Sequence, residues 1–177
     1  MIEVKDMDLI NDSVMNRLTG DFIKLSKVLD ELNITVSAKQ MSELVSALLE
    51  NAIADNIDGA IAPKVDSEPD ILYNGNSVEI KTSTGETWRG GTFSKRPGYY
   101  VFVKWELNHN GSPRFYIAGV QLQKSDWNET KSKNYYATTF GKKELFAKHN
   151  SVTEYVGCIE QTFYKNGNVK GLKVITE

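Results

Sequence analysis

With 177 residues, 40% hydrophobic and 25% charged, the chain has the composition of one globular domain with room for a substantial core. No apolar run approaches the ~20 residues that span a bilayer, and the opening MIEVKDMDLI is too acidic and polar for a secretory signal, so no membrane partner is expected. The single Cys158 excludes an intramolecular disulfide and fits a reducing cytoplasm, while a formal net charge of −2 argues, taken alone, against a nucleic-acid partner.

In chain order, residues 12 to about 32 read as a helix: Val14, Leu18, Phe22, Leu25, Val28, Leu29 and Leu32 recur at three- and four-residue steps. Asp12 or Ser13 is the expected cap, and Gly20 a weak point. Ser37 opens a second helix with Gln40 three residues on, the pattern of a capping box. Its stripe runs Met41, Leu44, Val45, Leu48, Leu49, Ala52, Ile53. The helical part thus covers 12–56, and its two stripes are core faces expected to pack on each other and on a sheet. Glu50 lies nearly opposite the second stripe, and Asp55 close to it.

The stretch 67–83, SEPDILYNGNSVEIKTS, carries the most chemistry. Asn74-Gly75 between two short runs rich in β-branched and aromatic residues predicts a tight hairpin. The turn sets Asp70, at the start of one strand, against Glu79 to Lys81 near the end of the next. Residues two apart on a strand share a face, so Glu79 and Lys81 project together while Ile80 points into the core.

Pro69-Asp70, eight residues, then Glu79-Ile80-Lys81 resembles the signature of the PD-(D/E)XK nuclease superfamily, and with this chain length a small type II restriction endonuclease. The direct resemblance covers about fifteen residues. It implies a single nuclease domain over 1–177 with a restriction-endonuclease-like α/β core, a central mixed sheet flanked by helices. It implies that Asp70 and Glu79 hold Mg²⁺, that Lys81 assists a water at the phosphate, and that an upstream helix acid joins them. Glu50 is matched to that acid as catalytic residue and metal ligand, with Asp55 the competing candidate. The implied substrate is double-stranded DNA, cut by a homodimer in the cytoplasm. Alternatives are another nuclease of the superfamily (a junction resolvase, a nicking or repair enzyme), a non-catalytic DNA-binding module, or an unrelated α/β domain with a chance motif.

Residues 84–98 follow with five Gly or Pro and no strand or helix period, predicting a long loop. Many superfamily members have a helix at about this point, so the loop is a departure. Its mixture of Arg, Lys, hydroxyls, Trp and glycine suits DNA contact. Ser83, Thr84, Trp88, Arg89, Thr92, Ser94, Lys95 and Arg96 are the expected contacts. The charge distribution agrees: residues 1–84 carry 7 Lys/Arg against 15 Asp/Glu, net −8, and residues 85–148 carry 11 against 5, net +6. Local positive charge, not overall pI, is what phosphate binding needs.

Tyr99–Leu107 is nearly continuous apolar and aromatic sequence, a central strand covered on both faces. Asn108 to Pro113 makes a turn, with His109 a turn residue, and Arg114–Gln123 returns as a strand. Residues 124–139 show no clear period, with Lys131, Lys133, Tyr135 and Tyr136 as further possible backbone contacts. A short helix is expected over 142–149, then two strands, 153–164 and 169–175, joined at Lys165-Asn166-Gly167-Asn168. Cys158 sits in an apolar run and reads as a small buried side chain.

Overall fold

The first helix, α1 (Asp12–Glu31), is capped by Asn11, one residue before the expected positions: its side-chain oxygen accepts the Val14 N–H at 2.9 Å. Asn33, in the left-handed region at φ 53°, closes the far end. The second helix, α2 (Ala38–Asn56), starts with the expected capping box, Ser37 and Gln40 each accepting the other's backbone N–H. This is a computed structural model, and it describes residues 9–65, 68–85, 87–91, 97–107, 113–131, 136–141, 151–156, 159–164 and 169–174. The expectations for His109, the 142–149 helix, the 165–168 turn and Cys158 fall outside those residues.

Eleven strands are described: β1 (Ala60–Ile61), β2 (Ile71–Tyr73), β3 (Asn76–Ser83), β4 (Thr87–Gly91), β5 (Gly98–Leu107), β6 (Pro113–Leu122), β7 (Asn128–Lys131), β8 (Tyr136–Gly141), β9 (Ser151–Val156), β10 (Ile159–Tyr164) and β11 (Val169–Val174). Eight of them form one sheet in the order β1-β2-β3-β5-β6-β9-β10-β11, and β4, β8 and β7 form a second. Among the described pairings only β3 with β5 is parallel, so the architecture is α/β with a mixed sheet and two flanking helices. No helix among the described residues is long and apolar enough to cross a membrane.

β2 and β3 form the expected hairpin. Tyr73 pairs with Asn76, and Asn74 (φ 49°) and Gly75 (φ 79°) both take the positive φ of a two-residue type I′ turn. β5 and β6 are the long aromatic strands, in register from Gly98–Leu122 to Leu107–Pro113.

Three differences from expectation fall after β3. Residues 84–98 are not all loop, since Thr87–Gly91 is a strand paired antiparallel with β8, and 124–139 contains a 3₁₀ turn at Lys124–Asp126 followed by β7 and the start of β8. The C-terminal region holds three strands where two were expected. Residues 153–164 divide into β9 and β10, which pair with each other.

The alternation of β5 separates two cores. Tyr99, Val101, Val103 and Trp105 join Val78, Ile80, Phe115 and Ile117 beneath the helices, with Phe22 of α1 at 6.0 Å from the Trp105 ring and 5.8 Å from Phe115. Ser42 of α2 fastens the helix to the sheet: its backbone oxygen accepts from Thr82 Oγ1 (2.9 Å) and its hydroxyl from Trp105 Nε1 (2.8 Å). On the other face Tyr100 and Phe102 are covered by Trp88 of β4 and by Trp127. The Trp88 ring lies 4.9 Å from Phe102 and its Nε1–H donates to Val103 O at 2.9 Å. Trp88 therefore anchors the second sheet to the first.

Trp88→Ala should lower stability by about 3–5 kcal/mol, the range for deleting a buried aromatic side chain. Trp88→Phe, which keeps a ring but loses the N–H donor, should cost about 1–2 kcal/mol. Urea unfolding of the two variants checks both, and a near-neutral Trp88→Ala would mean that the second sheet is held by other contacts.

Candidate functional site

The site is built on the face of β3 turned away from the helices. Val78 and Ile80 are buried beneath α2, and Ile71 of β2 pairs with Val78, so Asp70, one residue before Ile71, falls on the face of Glu79. Glu79 and Lys81 lie beside Tyr100 and Phe102 of β5 in the parallel register. Both are partly exposed, and Lys81 Nζ lies 3.0 Å from Glu79 Oε2. Asp70 Oδ2 accepts the Ile80 backbone N–H at 2.6 Å, a bond that ties the start of β2 to the middle of β3.

Burial is the main reason that the Asp70 carboxyl is pushed above its ordinary pKa. The Ile80 N–H bond and the Lys81 ammonium act the other way, while the negative charges of Glu79 and Glu50 push it further up. Glu50 thus belongs to the same electrostatic neighbourhood although it comes from α2. Its two oxygens are occupied: Oε2 by Lys64 Nζ at 3.0 Å and Oε1 by the Ser46 hydroxyl at 3.5 Å. Asp55, the competing helix acid, faces elsewhere. It is 55% exposed and lies 3.4 Å from Arg17 Nη2 of α1.

Asp70, Glu79 and Lys81 are therefore brought onto one face, with Glu50 near enough to act on Asp70 through its charge. Among the described residues no three His, Cys, Asp or Glu side chains are gathered closely enough to hold a metal ion by themselves. Each acid has a nitrogen partner instead: Ile80 N for Asp70, Lys81 for Glu79 and Lys64 for Glu50.

The expected DNA contacts divide. Ser83, two residues beyond Lys81, continues the same face and accepts the Gly85 N–H at 3.0 Å, Thr84 is exposed, and Arg89 is exposed on β4. Trp88 is corrected: at 3% exposure, with its N–H engaged, it has no surface to offer a ligand. Thr92, Ser94, Lys95 and Arg96 lie outside the described residues, as do Lys133 and Tyr135. Lys131 and Tyr136 pair with each other across β7 and β8. Sequence reading missed Lys64. It lies fourteen positions beyond Glu50 on an irregular connection, and no periodicity marks it.

Searches against protein-family models, curated proteins and solved structures find no match to the chain.

Because folding raises the Asp70 pKa, the folded chain holds this proton more tightly than the unfolded chain does. The contribution is full below the ordinary Asp value of about 3.9 and is lost as pH rises through the raised one. Asp70→Asn stays neutral and can still accept the Ile80 N–H. It should melt a few degrees above wild type at about pH 7, with the gain fading toward about pH 3. Paired thermal melts across that range check this, and a variant less stable than wild type at neutral pH would show that ionised Asp70 is net stabilising.

Proposed function

We propose that this chain is a Mg²⁺-dependent endonuclease of the PD-(D/E)XK kind that cuts double-stranded DNA at a specific sequence, as a type II restriction enzyme does. The observation that carries the reading is the placement of Asp70, Glu79 and Lys81 on one face of the β2–β3 hairpin, with the Glu50 charge reaching Asp70. A mixed sheet with two helices on the opposite face supports a restriction-endonuclease-like core.

The side chains present fit a hard divalent cation. Mg²⁺ is ordinarily held by one or two carboxylates, with waters and substrate phosphates completing the shell, so a closed protein cage is not required. A carboxyl held above its ordinary pKa by burial and by two acidic neighbours is one whose ionised form an added positive charge stabilises. Asp70 and Glu79 would hold the cation, with Glu50 beside them; when bound, it supplies Lewis-acid stabilisation of the charge that develops on the phosphate.

The chain's own groups supply the rest. Lys81 is a positive donor, and next to the scissile phosphate it would orient a water and offset developing negative charge. Glu79, 3.0 Å away, fixes where that ammonium sits. Ser83, Thr84 and Arg89 continue from the site onto β4, where hydroxyls and guanidinium would meet the DNA backbone or base edges. One such site cuts one strand, so a double-strand break calls for a twofold dimer on a palindromic sequence. A lone cysteine suits work in a reducing cytoplasm.

Purified protein incubated with a large unmethylated DNA should give discrete fragments with Mg²⁺ and none without. Asp70→Ala and Glu79→Ala should each lose cutting yet still retard DNA on a gel, and Lys81→Ala should cut about 10²-fold or more slowly with its fold intact. Wild-type rates in any of the three would sink the assignment, and nicked products alone would favour a nicking or repair enzyme.

Arg89→Ala should weaken binding to the cognate sequence by about 1–3 kcal/mol and to random DNA by much less, if Arg89 meets a guanine edge. Competition binding decides it: an equal loss on both DNAs would make Arg89 a phosphate contact.

A further inference from the structure

Lys64 lies outside the motif that the proposed function uses, yet its ammonium is 3.0 Å from Glu50 Oε2. Three non-glycine residues with positive φ are found among those described. Two are Asn33 at a helix end and Asn74 in a tight turn, the residue type and places that tolerate it. The third is Lys64, at φ 62°, with a long side chain on an irregular connection where no turn of that kind requires the conformation. A sparsely populated backbone state persists where the surroundings impose it, and such states gather at functional sites.

The described part of the connection that carries Lys64 makes a backbone hydrogen bond of its own. Pro63 precedes Lys64, the Glu68 N–H donates to Val65 O at 2.9 Å, and Asp70 follows two residues later. The Lys64–Glu50 pair thus fastens the segment that delivers Asp70 to the helix that delivers Glu50. Glu50 is only 17% exposed in its side chain and its charge reaches Asp70, whereas Lys64 is 47% exposed. Such a pair holds a carboxylate in place without closing it off.

We propose that Lys64 is a built-in counter-ion of the site, a positioning residue whose ammonium neutralises Glu50 in the free protein and competes with a divalent cation for that carboxylate. The inference rests on the nuclease reading, since it takes the site to bind such a cation. Removing the Lys64 charge leaves Glu50, among the described residues, with the Ser46 hydroxyl and makes the neighbourhood one unit more negative. Binding of a divalent cation should then tighten. A purely structural tie predicts the reverse, because a loosened connection would misplace Asp70 and weaken binding.

The test is calorimetric titration of DNA-free protein with Mg²⁺ and, separately, Ca²⁺ at low ionic strength, with thermal melts to confirm folding. Lys64→Gln should bind either cation about two- to fivefold more tightly than wild type, the range that one partly exposed ion pair is worth. Lys64→Arg, which keeps the charge, should match wild type. In a Glu50→Gln background the Lys64→Gln gain should vanish, because the shared carboxylate is gone. Unchanged or weaker binding in Lys64→Gln, or an equal gain in both backgrounds, overturns the proposal while leaving the nuclease reading intact. Lys64→Ala serves as a second charge-removing variant if Lys64→Gln melts early, and the same criteria apply. Failure of wild type to bind either cation overturns the nuclease reading and this proposal with it.

Discussion

Strand β3 has two demands on it, and the period of two satisfies both. Val78 and Ile80 are drawn beneath α2 into the larger core, and the intervening residues are thereby committed to the other face. Once Ile80 is buried, Glu79 and Lys81 have a single direction left, and the neighbouring Asp70 can reach the Ile80 N–H only from that side. A slip of one position in the β2–β3 register would exchange the charged and apolar sets. Burying them would cost far more than any surface pairing returns. The hydrophobic contact of Ile80 is in this sense what aims the polar residues.

The same logic explains why the site is internally balanced. Burial raises the Asp70 pKa, and the charges of Glu79 and Glu50 push it further up. The chain answers with one nitrogen per acid, each from a different source: a backbone amide, a neighbour two residues on, and a lysine from a distant connection. Such balancing is local, and the overall net charge of −2 carries no trace of it.

The hairpin, the capping box of α2, the strand β5 and the shared face of Glu79 and Lys81 were legible in the sequence because each depends on neighbours within ten residues. The sign of φ at Asn74-Gly75 and the alternation around Ile80 are short-range facts. The second sheet was not legible, since β4 has two glycines and finds its partner β8 far along the chain, and β7, which adjoins β8 in sequence, is polar throughout. Trp88 sits in a stretch that looks like a surface loop, and only the aromatic face of Tyr100 and Phe102 reveals why it is buried. Whether Glu50 or Asp55 faces the hairpin depends on the roll of α2 about its axis. Ser42 sets that roll through its bonds to Thr82 and Trp105, which lie 40 and 63 positions away.

The parallel pairing of β3 with β5 bears on how the chain reaches its native state. Parallel neighbours cannot be joined by a tight turn, and here the crossover leaves the large sheet, runs through β4 and returns. β4 in turn pairs with β8, roughly fifty residues further on, so among the described strands its partner is in place only once Tyr136–Gly141 is. The two helices and the β2–β3 hairpin need only local loop closure, whereas docking β4 must first meet the entropy of a long one. Folding should accordingly be asynchronous, the acidic half of the chain organising early and the Trp88 anchor closing late. During translation the carboxylate-bearing hairpin leaves the ribosome well before the strand that holds its crossover down.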